Sequence, residues 1–231
     1  MNRTAPADDC HQRSLCPADL PALMQLYAAV MAAMPDASMF RLAGGADTFF
    51  NKHFGERGES LGVFLGDTLV AYGALTLPRE GDVGNYANDL GWPPGRAASV
   101  ALLSAAMVLP EHRRLGLHGT LIEARIARAA ALGKPDLLVR AAPANHASRQ
   151  AVVERGFALI WLGVQADGSL RHIFWRPSDR AATLGDEAAL VWAEAQDLAA
   201  QQRLLSAGLV GVRARLTDAA IGFAPAGAVG S

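Results

Sequence analysis

The 231-residue chain has only two cysteines, almost no net charge and no apolar run long enough to cross a bilayer. Cys10 and Cys16 lie close together near the N-terminus and cannot make a disulfide framework. The opening MNRTAPADD has no apolar segment of the secretory kind, so a reducing, cytoplasmic setting is expected. The longest apolar stretches, around Ala22 to Met34 and Ala97 to Pro110, fall short of the roughly 18 residues a spanning helix needs. With a net charge of -1 and a pI near 6.6, no global field recruits nucleic acid or an acidic membrane. Any anion site must therefore be local. None of the six histidines has ligand spacing with cysteine or another histidine, so no metal site is expected. A glycine-x4-glycine-lysine-serine/threonine loop is missing, and so is the three-glycine dinucleotide fingerprint, because the next glycine after Gly119 is Gly133.

What is present alternates between helical and strand periodicity. Leu20, Leu23, Met24, Tyr27, Val30, Met31 and Met34 follow a helical period that Pro35 ends. The stretch LGVFLGDTLVAYGALTLP reads as a hairpin turning at Gly66-Asp67, and Ala46 to Arg57 holds a short helix. Arg79 to Arg96 is polar, rich in glycine and proline, and long for a connection, which marks a functional or mobile loop. An apolar strand at Ala98 to Pro110 follows, then a helix with Leu121, Ile122, Ile126 and Ala129 on one face. A strand over 136–142, a helix over 146–155 and a hairpin hinged at Asp167-Gly168 complete the pattern. It predicts a mixed α/β fold with a mainly antiparallel sheet and flanking helices. The expected organisation is a tail over 1–10, one domain over 11–177 and an extension over 178–231. In the extension, a long helix from Asp186 to Ser206 precedes two strands, LVGVRARL and AIGFAP. Such an extension can cover a sheet edge or form a homodimer interface.

The segment VLPEHRRLGLHGTLIEARI carries the chemistry. A strand passing through a glycine loop straight into a helix leaves several backbone N–H groups unpaired at the positive end of the helix dipole. That arrangement suits an anion. Gly116 and Gly119 allow close backbone approach, and Arg113 and Arg114 stand beside them. A plain strand-to-helix turn with solvated arginines would read much the same from spacing alone.

The run V-L-P-E-H-R-R-L-G-L-H-G resembles the acyl-CoA loop of the GNAT superfamily of N-acetyltransferases, whose pattern is V-x-P-x-x-R/Q-x-x-G-x-G/A. At the family's distance, PANHASRQAVVERGF is similar to its second signature, and the element order fits from His11 to Arg176. The resemblance implies acetyl-CoA as acyl donor and a fold whose fourth and fifth strands splay around the pantetheine arm. Ala106 and Val108 would offer backbone to that arm. The N–H groups from Arg113 through Leu115, Gly116, Leu117, His118 and Gly119, with Thr120 next, would hold the pyrophosphate. Asn145 would cap the following helix and bond the arm, with Ser148 one turn in.

Two departures from the family stand out. His118 occupies the place of the last small loop residue, and its side chain is expected to turn outward. Val152 replaces the tyrosine that often protonates the leaving thiolate. No carboxylate lies in the splayed strand, so the catalytic candidates are Asp82, Tyr86 and Asp89 in the long loop and Ser104 in the strand, with Trp92 a wall of the pocket. The implied activity is direct acetyl transfer to a primary amine of a small molecule or peptide. A catalytically silent acyl-CoA-binding sensor or interaction protein is the alternative.

Overall fold

A computed structural model describes residues 10–36, 39–181 and 187–226. One sheet of eleven strands runs through the molecule: β1 (Cys10–Ser14), β2 (Phe54–Gly55), β3 (Gly58–Leu65), β4 (Thr68–Thr76), β5 (Ala101–Val108), β6 (Asp136–Ala141), β7 (Ala158–Val164), β8 (Leu170–Pro177), β9 (Val191–Ala193), β10 (Leu209–Ala214) and β11 (Ile221–Pro225). The helices are α1 (Leu20–Ala32), α2 (Ala46–Lys52), α3 (Pro94–Ser99), α4 (Leu117–Ala131), α5 (His146–Val153) and α6 (Leu198–Ser206). In space the strands follow the order β1-β3-β4-β5-β6-β8-β7-β10-β11-β9, with β2 beside β3. Every neighbouring pair is antiparallel except β5 and β6.

Helix α1 buries Leu23, Leu26 and Val30 against the β4 and β5 side, while Met24 is exposed. The helical period was legible, but Leu26 belongs to the buried stripe and Met24 does not. Helix α4 buries Leu121, Ile122, Ile126 and Ala129 on the strand-facing side. Arg125 is buried among them.

The loop from Arg79 is packed into the protein. Asn85 donates to Ala97 O at 2.7 Å and accepts from Ala87 N at 3.1 Å, and Tyr86 and Ala87 are buried. Its end forms α3, which the sequence pattern did not mark. Arg96 on that helix lies 3.5 Å over the Trp92 ring and makes two 2.9 Å bonds to Asp136, which also accepts from Trp175 Nε1 at 2.6 Å. Trp92 is thus a platform for an ion pair, not a pocket wall. The charge of Arg96 and these hydrogen bonds outweigh burial and hold the Asp136 carboxyl below its usual range.

The region after Pro177 departs most from expectation. The helix from Asp186 is α6 alone, opened by Asp197, whose side chain accepts from Ala200 N. Trp192, assigned to that helix, instead sits on β9, which pairs with β11. Non-local pairing overrides the local helical pattern here. Residue 186, the residues 1–9 of the tail and the residues 227–231 lie outside the described residues. Cys10, counted with the tail, opens β1. The extension continues the sheet through one register contact, Gly211 with Leu159. It is also tied by His172 Nε2, which donates to Gln201 Oε1 at 2.8 Å in the interior. Gln201 spends its two amide protons on Glu194 O and Ala195 O.

A Cβ on Gly211 would stand 2.7 Å from Ile221 Cγ2 and 3.0 Å from Leu159 Cβ. Gly211→Val should therefore cost roughly 1–3 kcal/mol of stability through overpacking. An unchanged urea midpoint would show that the extension does not dock at that strand.

Candidate functional site

Strands β5 and β6 pair only over Ala101 with Leu137, Leu102 with Leu138 and Leu103 with Val139. From Ser104 onward they part. On the opposite side β5 remains paired with β4, but with a bulge that sets Ser104 and Ala105 against Ala74 alone. The bulge frees carbonyls in the interior, and Arg125 takes them. Its Nη1 donates to Ala74 O at 3.1 Å and Ser104 O at 3.0 Å, and its Nε to Leu121 O at 2.9 Å. Gly73 makes room, since a Cβ there would sit 3.0 Å from the guanidinium carbon. Burial lowers the Arg125 pKa to about 10, which still leaves it charged at neutral pH.

The parting opens a cavity of about 620 Å³. Residues Leu103 to Val108 line one wall and Val139 to Ala142 the other, with the start of α4 and the inner face of α5 closing one end. Gly116 has φ +78°, which the left-handed step into α4 requires. Arg114, at φ +65°, takes a conformation uncommon for a side chain of its size. Arg113 N donates to Pro110 O, and the next helical donor with a partner is Thr120 N to Gly116 O. The six N–H groups of Arg114 through Gly119 have no acceptor among the described residues.

His118 faces inward and lines the cavity, in contrast to the outward orientation expected. Burial, then the charges of Arg125 and Arg155, lower its pKa to about 4. Gly119 serves a neighbour: a Cβ there would fall 1.8 Å from Arg155 Nη2. Arg155 lies across the helix start, with Nε donating to Gly119 O at 3.1 Å and Nη1 to Ala151 O at 3.2 Å. Glu123 is 3.2 Å away. Sequence reading missed Arg155, since 36 residues separate it from Gly119. Ala106, Val108, Arg113, Arg114, Gly116, Leu117, Asn145 and Ser148 also line the cavity. Leu115 and Thr120 do not; Leu115 is exposed and Thr120 bonds back to Gly116. Asn145 caps α5 by accepting from Ser148 N at 3.1 Å.

Of the four catalytic candidates, Ser104 and Tyr86 line the cavity, while Asp82 and Asp89 do not. Asp82 is bound by Arg57 and by Arg79 N, an ion-paired loop anchor. Asp89 accepts from Gln165 Nε2 at 2.6 Å, and Gln165 Oε1 holds Arg140 at 2.9 Å. Asp89 thus stands one residue removed from the cavity wall.

Ser104 ends a buried relay that sequence could not show. Its Oγ is 2.5 Å from Thr76 Oγ1, which is 2.7 Å from His53 Nε2; His53 Nδ1 is 2.6 Å from Phe49 O. The carbonyl can only accept, so Nδ1 carries the proton, Nε2 accepts from Thr76, and Thr76 accepts from Ser104. The serine oxygen keeps its lone pairs toward a further donor. Burial lowers the His53 pKa to about 4, so charging it at neutral pH costs about 4 kcal/mol. The relay orients Ser104 better than it could store a proton.

No protein-family model matches the chain, and no curated protein matches it in sequence. Solved structures do match in shape. The ribosomal-protein-S18-alanine N-acetyltransferase of Escherichia coli superposes with a TM-score of 0.53 at 18% identity, over 77% of this chain and 97% of that one. A GCN5-related N-acetyltransferase from Kribbella flavida gives 0.56 at 16% identity, over 74% and 98%. A putative acetyltransferase from Salmonella typhimurium, solved with acetyl-CoA, gives 0.55 at 18% identity, over 76% and 97%. The chain has the fold of the GNAT N-acetyltransferases over about three quarters of its length. Among the described residues no helix is long and apolar enough to cross a membrane, and no group of three or more histidine, cysteine or carboxylate side chains could hold a metal ion.

His53, His118 and His172 are all held neutral by burial, His172 down to about 3. Each folded pKa lies below the unfolded value near 6.5. As pH falls through 6.5, the unfolded chain takes up protons that the folded chain refuses, and stability drops. Over the two pH units from 6.5 to 4.5 the upper bound is roughly 3 kcal/mol for each of His53 and His172. Urea midpoints should therefore decline between pH 6.5 and 4.5, and His172→Gln, which retains a donor for Gln201, should decline less. Equal slopes would mean that His172 does not contribute.

Proposed function

We propose that the chain is an acetyl-CoA-dependent N-acetyltransferase that moves the acetyl group directly to a primary amine of a small molecule or peptide. The observation that carries this reading is the row of six N–H groups from Arg114 to Gly119, at the mouth of the parted strands, that have no acceptor among the described residues. Those donors suit a pyrophosphate, and Arg155, Arg113 and Arg114 add charge around them. The neutral imidazole of His118 has a donor to offer at the same place. Beyond Leu103, the β5 edge facing β6 lacks a strand partner, so alternate amides in the stretch containing Ala106 and Val108 can pair with the pantetheine amides. Asn145 uses its Oδ1 on Ser148, which leaves Nδ2 for the arm.

Acetyl-CoA supplies an activated acyl carbon, and the protein has to hold it, present a neutral amine and stabilise the oxyanion. Unpaired main-chain N–H on β5 near Val108 is the group suited to the oxyanion. Ser104 Oγ, fixed as donor toward Thr76, can accept a hydrogen bond from the incoming amine. A C–N bond forms and the C–S bond breaks. One proton of the neutral amine leaves to water, the other stays as the amide N–H, and water protonates the thiolate, since Val152 offers no acid. Cys10 and Cys16 are exposed and do not line the cavity, which supports direct transfer over an acetyl-enzyme.

The lack of a side-chain acid at Val152 also favours a second reading, a silent acyl-CoA sensor. Calorimetry should detect acetyl-CoA binding that weakens as salt rises; no binding at high concentration sinks both readings. A thiol-release assay over a panel of amines then separates them, with turnover expected and none assigning the sensor. Alkylating both cysteines should leave turnover in place, and loss through a trapped acetyl-cysteine would overturn direct transfer.

A further inference from the structure

Opposite the phosphate end, the cavity carries an unusual charge. Arg140 on β6 lies 4.9 Å over the Tyr86 ring and is steadied by Gln165 at 2.9 Å. An amide holds it in place; Asp89 binds the far side of Gln165, and among the described residues Asp167 is the one carboxylate whose charge reaches both Arg140 and Arg171. Arg171 on the adjacent strand β8 is buried. Burial is the larger cause of its lowered pKa, and the positive fields of Arg140 and Arg41 add to it, with Asp167 and Tyr86 opposing. Arg41 and Arg171 also border a second hollow of about 530 Å³ that adjoins the first, whose rim includes Asp36 and, from the extension, Ala195, Gln196 and Leu198. Within the main cavity the one carboxylate among the described lining residues is Glu154, 3.8 Å from Arg155 at the opposite end.

Resting on the acetyltransferase reading, we infer that the acceptor is a small amine that also carries an anionic group, carboxylate or phosphate, held by Arg140 and Arg41, with the charge of Arg171 adding to the field. A planar guanidinium suits either anion through paired hydrogen bonds. Met34, Met39 and Phe40 line the same end and offer an apolar surface to the rest of the molecule. A polyamine or a lysine side chain would bring like charge into a field of three arginines, against which stand Asp167 and, on the rim of the outer hollow, Asp36. The field also has a chemical use: surplus positive charge disfavours an ammonium ion, so the bound amine sheds its proton to water. That accounts for a cavity with no carboxylate base beside Ser104. The extension, through Ala195 to Leu198, shapes the hollow by which such an acceptor reaches the arginines.

The test uses the full chain with acetyl-CoA and matched acceptors: amino acids against their amides, phosphoethanolamine against ethanolamine, and spermidine as the cationic extreme. Turnover should favour the anionic member of a pair by about tenfold or more, the scale of a charge-assisted contact. The amino-acid and phosphoethanolamine arms tell which anion is read. In Arg140→Gln that ratio should collapse toward one, and Arg41→Gln, at an exposed position, should lower it with little risk to folding. Acetyl-CoA binding by calorimetry is followed in every variant. If acetyl-CoA does not bind the unaltered chain, the acetyltransferase reading fails and this inference with it. If acetyl-CoA binds and neutral or cationic amines turn over as well as anionic ones, or the ratio is indifferent to Arg140 and Arg41, the inference alone is overturned.

Discussion

The parting of β5 from β6 is the constraint on which the rest of the molecule depends. Separating two parallel strands in a protein interior exposes main-chain groups that cannot reach bulk water, and each orphan costs free energy comparable to a lost hydrogen bond. The bulge opposite Ala74 adds further free carbonyls. Arg125 resolves the bulge by bonding Ala74 O and Ser104 O from the helix behind the sheet. A fully buried arginine is costly unless its donors are satisfied, and here they meet carbonyls that would otherwise be unmet. The open edge of β5 is left for a partner shaped like a strand.

Electrostatics then divides the cavity. At one end stand the bare main-chain donors of α4 and the guanidinium of Arg155, which together suit a compact, highly charged anion. At the other, Arg140, Arg171 and Arg41 make a separate positive region faced by Tyr86. Between them lie Ser104 and the walls of β5 and β6, with no carboxylate among the described residues that line them. In the proposed reaction the amine loses its proton because the field is hostile to ammonium, and a dedicated base is not required. The near-neutral net charge of the chain hides this, because several acids are paired away from the cavity: Asp82 with Arg57, Asp136 with Arg96, Glu59 with Arg128.

The extension is part of the same sheet and of the same core. Phe223 and Ile221 share a cluster with Phe157, Leu159 and Phe174, and β10, β11 and β9 carry the sheet beyond β7. The Gln201 to His172 bond fixes α6 to the central strands. Residues just before α6 consequently come to border the outer hollow, so a segment added at a sheet edge reaches the mouth of the cavity.

Most of the strands and helices, the glycine loop and the cap at Asn145 were legible in the sequence, because each depends on local rules: apolar period, turn residues, a capping side chain. The long helix read from Asp186 failed because pairing between β9 and β11 outweighs local helical preference. Arg125 left a faint trace as a cation on the apolar stripe of α4 between Leu121 and Ala129. The Ser104, Thr76 and His53 relay, the Arg155 clamp on Gly119 and the grouping of Arg41, Arg140 and Arg171 left none, since their members stand tens of residues apart. Which way His118 turned and which loop residue faced the cavity were likewise settled only when strands and helices packed. By itself the sequence determined that a strand would run through a glycine turn into a helix with its donors bare. Tertiary packing decided which distant side chains surround those donors and what charge the opposite end presents, because burial and Coulomb interactions act through space and not along the chain.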